Sequence, residues 1–174
     1  VEHQHAAVVH GHEVLEALGL FHVGRGDDDG HAGPLGAQCL DQWFDREPSR
    51  DRATFSRDAG LSSDAPYVLW VCSALFQGSP VEAQFVLDWL RALRTRSSER
   101  LRRMPVLIRP HPSRLAEWEG VDLAGLDAVV WGGNPVDDAS RRDYFDTLFH
   151  AAAVVGINTS AFIEAGIVGR PVLT

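Results

Sequence analysis

The sequence predicts an α/β fold: a Rossmann-like parallel sheet with helices on both faces, incomplete towards its C-terminal end. Three observations carry this expectation. Apolar or β-branched runs recur near residues 67, 106, 128, 154 and 171, with helical patterns between them. The run from Ala152 to Ile157 has no polar alternation, as a strand covered on both faces requires. Ser73, Arg109, Asn134 and Ser160 each fall just past the carboxyl end of one such run, the rim where open α/β sheets bind ligand.

Bulk properties narrow the class. The chain has 174 residues and 45% hydrophobic content, enough for one domain or one domain plus part of another, and enough to build a core. A net charge of -8 argues against a nucleic-acid binder, which normally shows a basic excess. Cys39 and Cys72 are too few for a disulfide scaffold and lack metal-ligand spacing. No apolar run approaches the roughly 18 residues that span a bilayer. The sequence opens at Val1 and stops within an apolar run at Thr174, so it reads as a fragment. Residues 1–60 read as the tail of an N-terminal domain and a linker, partly irregular. Residues 61–174 read as the Rossmann-like domain, truncated at its C-terminus.

In chain order, the His3/His5 and His10/His12 pairs invite a metal reading. Alternate residues share a face only on a strand, and no strand pattern surrounds them, so no metal site is expected. A short helix over Glu13 to Leu18 ends at Gly19, and Phe21 to Gly36 shows no period. Trp43 and Phe44 are large apolar anchors. Pro48-Ser49 is expected to open a short helix running to Ala59, with Gly60 as its stop. A linker by composition follows from Ser62 to Pro66.

Tyr67 to Cys72 is the first firm strand. Ser79-Pro80-Val81-Glu82 then combines a cap, Pro at the first helical position and an acid at the third. Strand, small polar loop and helix form the junction that faces phosphate in Rossmann-like halves, which makes Ser73 and Gly78 phosphate candidates. The loop is neither a Gly-x-Gly-x-x-Gly fingerprint nor a P-loop. Arg91, Arg94, Arg96, Arg100, Arg102 and Arg103 crowd the end of the helix, where cations complement the dipole.

Val106 to Ile108 is the second strand, and it runs into Arg109-Pro110-His111-Pro112. Two prolines pin this turn, so Arg109 offers a fixed fork of donors for phosphate and His111 a group that can donate, accept or carry charge. Ala128 to Trp131 is the third strand, followed by Gly132-Gly133-Asn134-Pro135, which also reads as a plain turn. Ser140 with Asp143 resembles a capping box for a helix carrying Tyr144, Leu148 and Ala152. After the fourth strand, Asn158-Thr159-Ser160 opens a short helix. Ser160 and Glu164, four apart, share its face: one suits a phosphate and the other a ribose diol. The same residues also serve as an ordinary cap and a first-turn acid.

Tyr144, Val154-Val155, Ser160, Glu164-Ala165, Gly169 and Pro171-Val172 follow a known order: Tyr-containing helix, apolar strand, Ser turn, Glu-Ala, Gly, Pro-Val. Over roughly residues 66 to 174 the chain resembles the C-terminal, nucleotide-sugar-binding half of GT-B-fold glycosyltransferases. Much of the pattern is shared with non-hydrolysing sugar-nucleotide epimerases and CDP-glycerol glycerophosphotransferases, and the Arg/His-Pro element looks like that of the latter. The resemblance implies a nucleotide-sugar-dependent transferase of bacterial cell-surface polysaccharide synthesis, cytoplasmic or peripheral at the inner face of the membrane. His111 and Arg109 would be catalytic. Ser73, Gly78, Asn134, Thr159, Ser160 and Glu164 would bind the nucleotide and its phosphates, with Asn134 near the base. The implied partners are the nucleotide-sugar donor and a saccharide or lipid-linked acceptor, with no metal, no cofactor beyond the donor and no nucleic acid. An isolated half is expected to be inactive. A non-catalytic α/β binding module remains the alternative outside the enzymes.

Overall fold

The computed structural model of the chain describes residues 38–62, 65–74 and 82–174. Strands β1 (Val68–Val71), β2 (Val106–Arg109), β3 (Ala128–Val130), β4 (Ala153–Val155) and β5 (Val172–Leu173) form one sheet. All neighbours are parallel, in the order β3-β2-β1-β4-β5. The chain builds outward from β1 to β3, then crosses back to lay β4 on the other side of β1. The order therefore reverses between β1 and β4, and a crevice opens beyond their carboxyl ends. This is the expected Rossmann-like sheet.

The helices are α1 (Gln38–Asp41), α2 (Arg52–Asp58), α3 (Glu82–Arg96), α4 (Glu99–Arg102), α5 (Asp138–Phe149) and α6 (Ala161–Ile167), with a 3-10 helix at Pro112–Trp118. Strand alternation divides β1 between two cores. Val68, Trp70 and Cys72 join Val86, Leu90 and Leu93 of α3 on one face. Tyr67, Leu69 and Val71 join Phe145 and Leu148 of α5 and Ala161 and Ala165 of α6 on the other. Leu90, Leu107 and Leu148 are fully buried, each stabilising the fold by roughly 1.5–3 kcal/mol. Trp43, Phe55, Ala59 and Leu61 share the second of these cores, so residues 43–61 pack directly on the sheet.

Two helix starts differ from expectation. The helix expected to open at Ser140 begins at Asp138, with Asp137 as its cap: Ser140 N–H donates to Asp137 Oδ1 at 2.8 Å, and Asp137 N–H donates to Ser140 Oγ at 3.1 Å. The capping box exists, but Ser140 is its third residue rather than its first, because Asp caps as well as Ser. Likewise α2 starts at Arg52 behind Asp51, whose carboxylate accepts from Thr54 N–H at 2.7 Å. Ser49 is freed for another task. The short helix Glu13 to Leu18, the two His pairs and the Ser79-Pro80-Val81 cap lie outside the described residues.

The arginine crowd after α3 is mostly structural. Arg94 donates to the carbonyls of Leu126 (2.8 Å), Arg102 (3.0 Å), Met104 (3.0 Å) and Asp127 (3.1 Å), tying the end of α3 to the approaches of β2 and β3. Arg91 pairs with Asp88, and Arg102 and Arg103 pair with Glu99, on solvated surface.

The segment before β1 is held by one carboxylate. Asp146 of α5 is fully buried and accepts from Ser49 N–H (2.8 Å), Ser49 Oγ–H (2.6 Å) and Arg50 Nε (3.2 Å). Arg50 also reaches Asp58 and Asp143, and the Arg50 carbonyl meets His150 Nε2 at 2.8 Å. Breaking a buried pair from one side leaves uncompensated polar groups. Asp146→Ala is expected to destabilise the chain by about 3 kcal/mol in urea unfolding; a loss under about 1 kcal/mol would mean that the clamp contributes little.

Candidate functional site at the carboxyl edge

Arg109 closes β2, and its place in the pleat decides its surroundings. It sits level with Val71 at the end of β1. Two residues after Leu107, it turns to the same face, the one covered by α5. There it is 4% exposed, the one arginine buried to that degree among the described residues. Its Nη2 donates to the Gly133 carbonyl at 3.0 Å and its Nη1 to Thr147 Oγ1 at 3.4 Å. The guanidinium carbon lies 4.7 Å from the centre of the Tyr144 ring. Among the described residues no carboxylate oxygen lies within 4 Å of it. Burial draws its pKa down, but a guanidinium stays charged.

Gly132 makes room for this side chain. A Cβ there would stand 2.7 Å from Arg109 Cζ and closer still to Nη1, and φ is +91°. Both the close approach and the backbone angle call for glycine.

Beside Arg109 is a recess of about 170 Å3. Arg109, His111, Thr159, Ser160 and Glu164 all line it, with Tyr144, Gly133 and Pro135. Thus the loop after β2 and the turn after β4, separated by some fifty residues in sequence, meet across the end of β1. A second recess of about 210 Å3 shares Tyr144, Glu164 and Pro135 and extends past Trp43, Arg46 and Arg141. The larger concavity, about 870 Å3 between α3 and β4, is lined by apolar groups such as Trp70, Trp89 and Ile157. The groups able to do chemistry converge on the smaller space.

His111 caps the 3-10 helix through its own ring. Nδ1 accepts from Ser113 N–H at 3.3 Å and lies 2.8 Å from Ser113 Oγ. That hydrogen bond assigns the neutral ring's proton to Nε2, which leaves one N–H donor without a protein partner among the described residues. This suits His111 to binding an oxyanion.

Across the recess, α6 runs only from Ala161 to Ile167, so its dipole contributes little. Thr159 rather than Ser160 caps it: Thr159 Oγ1 accepts from Ala161 N–H at 3.3 Å, while the exposed Ser160 hydroxyl makes no cap bond. Glu164 accepts the Tyr144 hydroxyl at Oε2. Burial raises the Glu164 carboxyl pKa, and the Tyr144 hydrogen bond and nearby Arg109 offset part of that rise. Tyr144 is itself pushed well up, by burial and then by Glu164.

Two expected site residues stand elsewhere. Ser73 is fully buried, and its N–H donates to Glu82 Oε2 at 2.8 Å instead of facing a phosphate. Trp70 Nε1 donates to Glu82 Oε1 at 3.4 Å, so the first acid of α3 is tied to the end of β1. Asn134 is exposed and lines neither recess; its carbonyl accepts from Val136 N–H at 2.9 Å. Gly133, the neighbouring candidate for the base, does line the first recess, and its carbonyl holds Arg109. Gly78 lies outside the described residues.

Tyr144 and Thr147 were not singled out as site residues from the sequence, although one signal was available. α5 begins at the carboxyl edge, as a crossover helix must, and its sheet-facing side brings Tyr144 and Thr147 against Arg109 at the end of β2. Polar groups on its sheet-facing side, at positions 144 and 147, are therefore site candidates.

No protein-family model, curated protein or solved structure matches this chain. No group of His, Cys, Asp and Glu among the described residues has the arrangement of a metal site, and no described helix is long and apolar enough to cross a membrane.

The raised Glu164 pKa has a sign. A carboxyl held above its ordinary 4.5 binds its proton more tightly when folded, so this contribution is full below pH 4.5 and lost as pH rises through the folded value. At neutral pH the ionised group weighs against the fold. Glu164→Gln keeps an acceptor for Tyr144 and removes the charge. It is expected to raise the Tm at pH 7 by about 2–4 °C, on the order of 1 kcal/mol. The gain shrinks as pH falls through the folded value towards 4.5 and is gone below it. No gain at pH 7 would show that the carboxylate is not under strain.

Proposed function

We propose that this chain is the donor-binding half of a nucleotide-sugar-dependent glycosyltransferase of GT-B type, acting in bacterial cell-surface polysaccharide synthesis. One observation carries the reading: a buried, carboxylate-free guanidinium beside a recess at the switch point of a parallel sheet. Buried charges are normally paired. Arg109 has a carbonyl, a hydroxyl and an aromatic face, which leaves room for an anionic ligand to complete its surroundings. The His111 Nε2–H and the hydroxyls of Thr159 and Ser160 add neutral donors suited to phosphate oxygens.

In this role Arg109 and His111 stabilise the negative charge that grows on the departing diphosphate. Glu164 accepts hydroxyls of the ribose. The first recess, at about 170 Å3, holds a phosphoryl group with part of a sugar, and the second, at about 210 Å3, is the direction in which a longer ligand extends. The acceptor, a saccharide or a lipid-linked one, is brought by another part of the enzyme at the inner face of the membrane. His111 between two prolines on the wall of the recess also favours a CDP-glycerol glycerophosphotransferase. The two readings share the anion site and differ in the donor consumed.

A thermal-shift panel of UDP, CDP, GDP and their sugar or glycerol conjugates tests this. A cognate nucleotide at a hundred times its Kd is expected to add about 2.7 kcal/mol, or roughly 5–10 °C in Tm. Arg109→Met should abolish the shift while leaving the unliganded chain at least as stable, since a buried unpaired cation is removed. No shift with any nucleotide, or an undiminished shift in Arg109→Met, refutes the assignment and favours a non-catalytic module.

A further inference from the structure

Arg109 and Glu164 line one small recess, yet they form no ion pair with each other. Opposite charges sharing a partly buried cavity attract more strongly than they would in water. Something must hold them apart, and Tyr144 is placed to do so. Its ring carries the guanidinium on one face, with the guanidinium carbon 4.7 Å from the centroid. Its hydroxyl donates to Glu164 Oε2, and Oε1 has no protein partner among the described residues. Trp43 meets the same ring edge-on at 5.6 Å and 89°. Thr147, one turn along α5, takes a second donor of Arg109. Tyr144 also stands in the wall common to both recesses.

We infer that Tyr144 is a positioning residue that keeps Arg109 and Glu164 from neutralising each other, reserving the guanidinium for a ligand oxyanion and Glu164 Oε1 for a ligand hydroxyl. The site therefore selects oxyanion esters that carry a free hydroxyl near the charged group. This rests on the reading of the recess as an anion site. It adds that the aromatic ring and its hydroxyl are what leave the cation available. Without the ring, the carboxylate swings onto the guanidinium and the pocket becomes an internal salt bridge.

Inorganic sulfate, a dianion throughout the working pH range, serves as the probe in calorimetric titrations of the full chain at constant ionic strength. Wild type is expected to bind it, and Tyr144→Leu to bind at least tenfold more weakly. The double variant Tyr144→Leu/Glu164→Gln is expected to recover to within about threefold of wild type, because no carboxylate remains to occupy Arg109. A residue that only shapes the cavity gives no such recovery. Tyr144→Phe, which keeps the ring and frees Glu164, should fall between, and should also be restored by Glu164→Gln. If circular dichroism shows Tyr144→Leu unfolded, the Tyr144→Phe pair alone decides. Wild-type affinity in the folded Tyr144 variants, or a loss that Glu164→Gln does not repair, overturns the positioning role and leaves the anion site standing. Wild type that does not bind sulfate, or Arg109→Met that binds it equally well, overturns the anion site and the inference with it.

Discussion

A guanidinium buried at the end of a central strand, with no carboxylate oxygen within 4 Å among the described residues, is the constraint that organises this edge of the molecule. Removing a charge from water is unfavourable by several kcal/mol unless other groups replace the lost hydration. Around Arg109 those groups are the Gly133 carbonyl, the Thr147 hydroxyl and the face of Tyr144. They come from two parts of the chain, so the loop after β3 and the second half of α5 are fixed relative to β2 by one side chain. Gly132 follows from the same demand, because any side chain there would occupy the space of the guanidinium.

The sheet order supplies the rest of the geometry. Because β4 lies on the opposite side of β1 from β2, the turns after β2 and β4 diverge around the end of β1 and leave a gap between them. Gly156 permits the close passage: a Cβ there would meet the Val71 carbonyl at 2.7 Å. The recess is therefore a consequence of topology, and its chemistry is a consequence of which residues end each strand. The Rossmann-like sheet is common to many activities. The function proposed for this chain depends on Arg109, His111, Thr159, Ser160 and Glu164.

The strands were legible because a two-sided parallel sheet demands uninterrupted apolar runs, and this chain supplies them at five places. Helix ends were less legible. Ser and Asp cap equally well, so Asp137 and Asp51 compete with Ser140 and Ser49; at the second of these starts Ser49 is taken by Asp146. Within the site, residues that follow strand ends were found by position: Arg109, His111, Thr159, Ser160 and Glu164. Ser73 shares that position but not the exposure, since its N–H is taken by Glu82, an acid that the pattern marks only as a helix-start residue. Tyr144 was hidden among the apolar positions of an amphipathic helix. Its ring is part of the packing and its hydroxyl part of the site, and spacing alone cannot separate the two uses.

Where an oxyanion settles on the intact protein tests the central claim most directly. Crystals soaked in selenate are expected to show anomalous density within hydrogen-bonding distance of the Arg109 guanidinium and of His111 Nε2, inside the recess bounded by Thr159 and Glu164. Density confined to the solvated arginines around α4, with the recess empty at saturating selenate, would contradict the account.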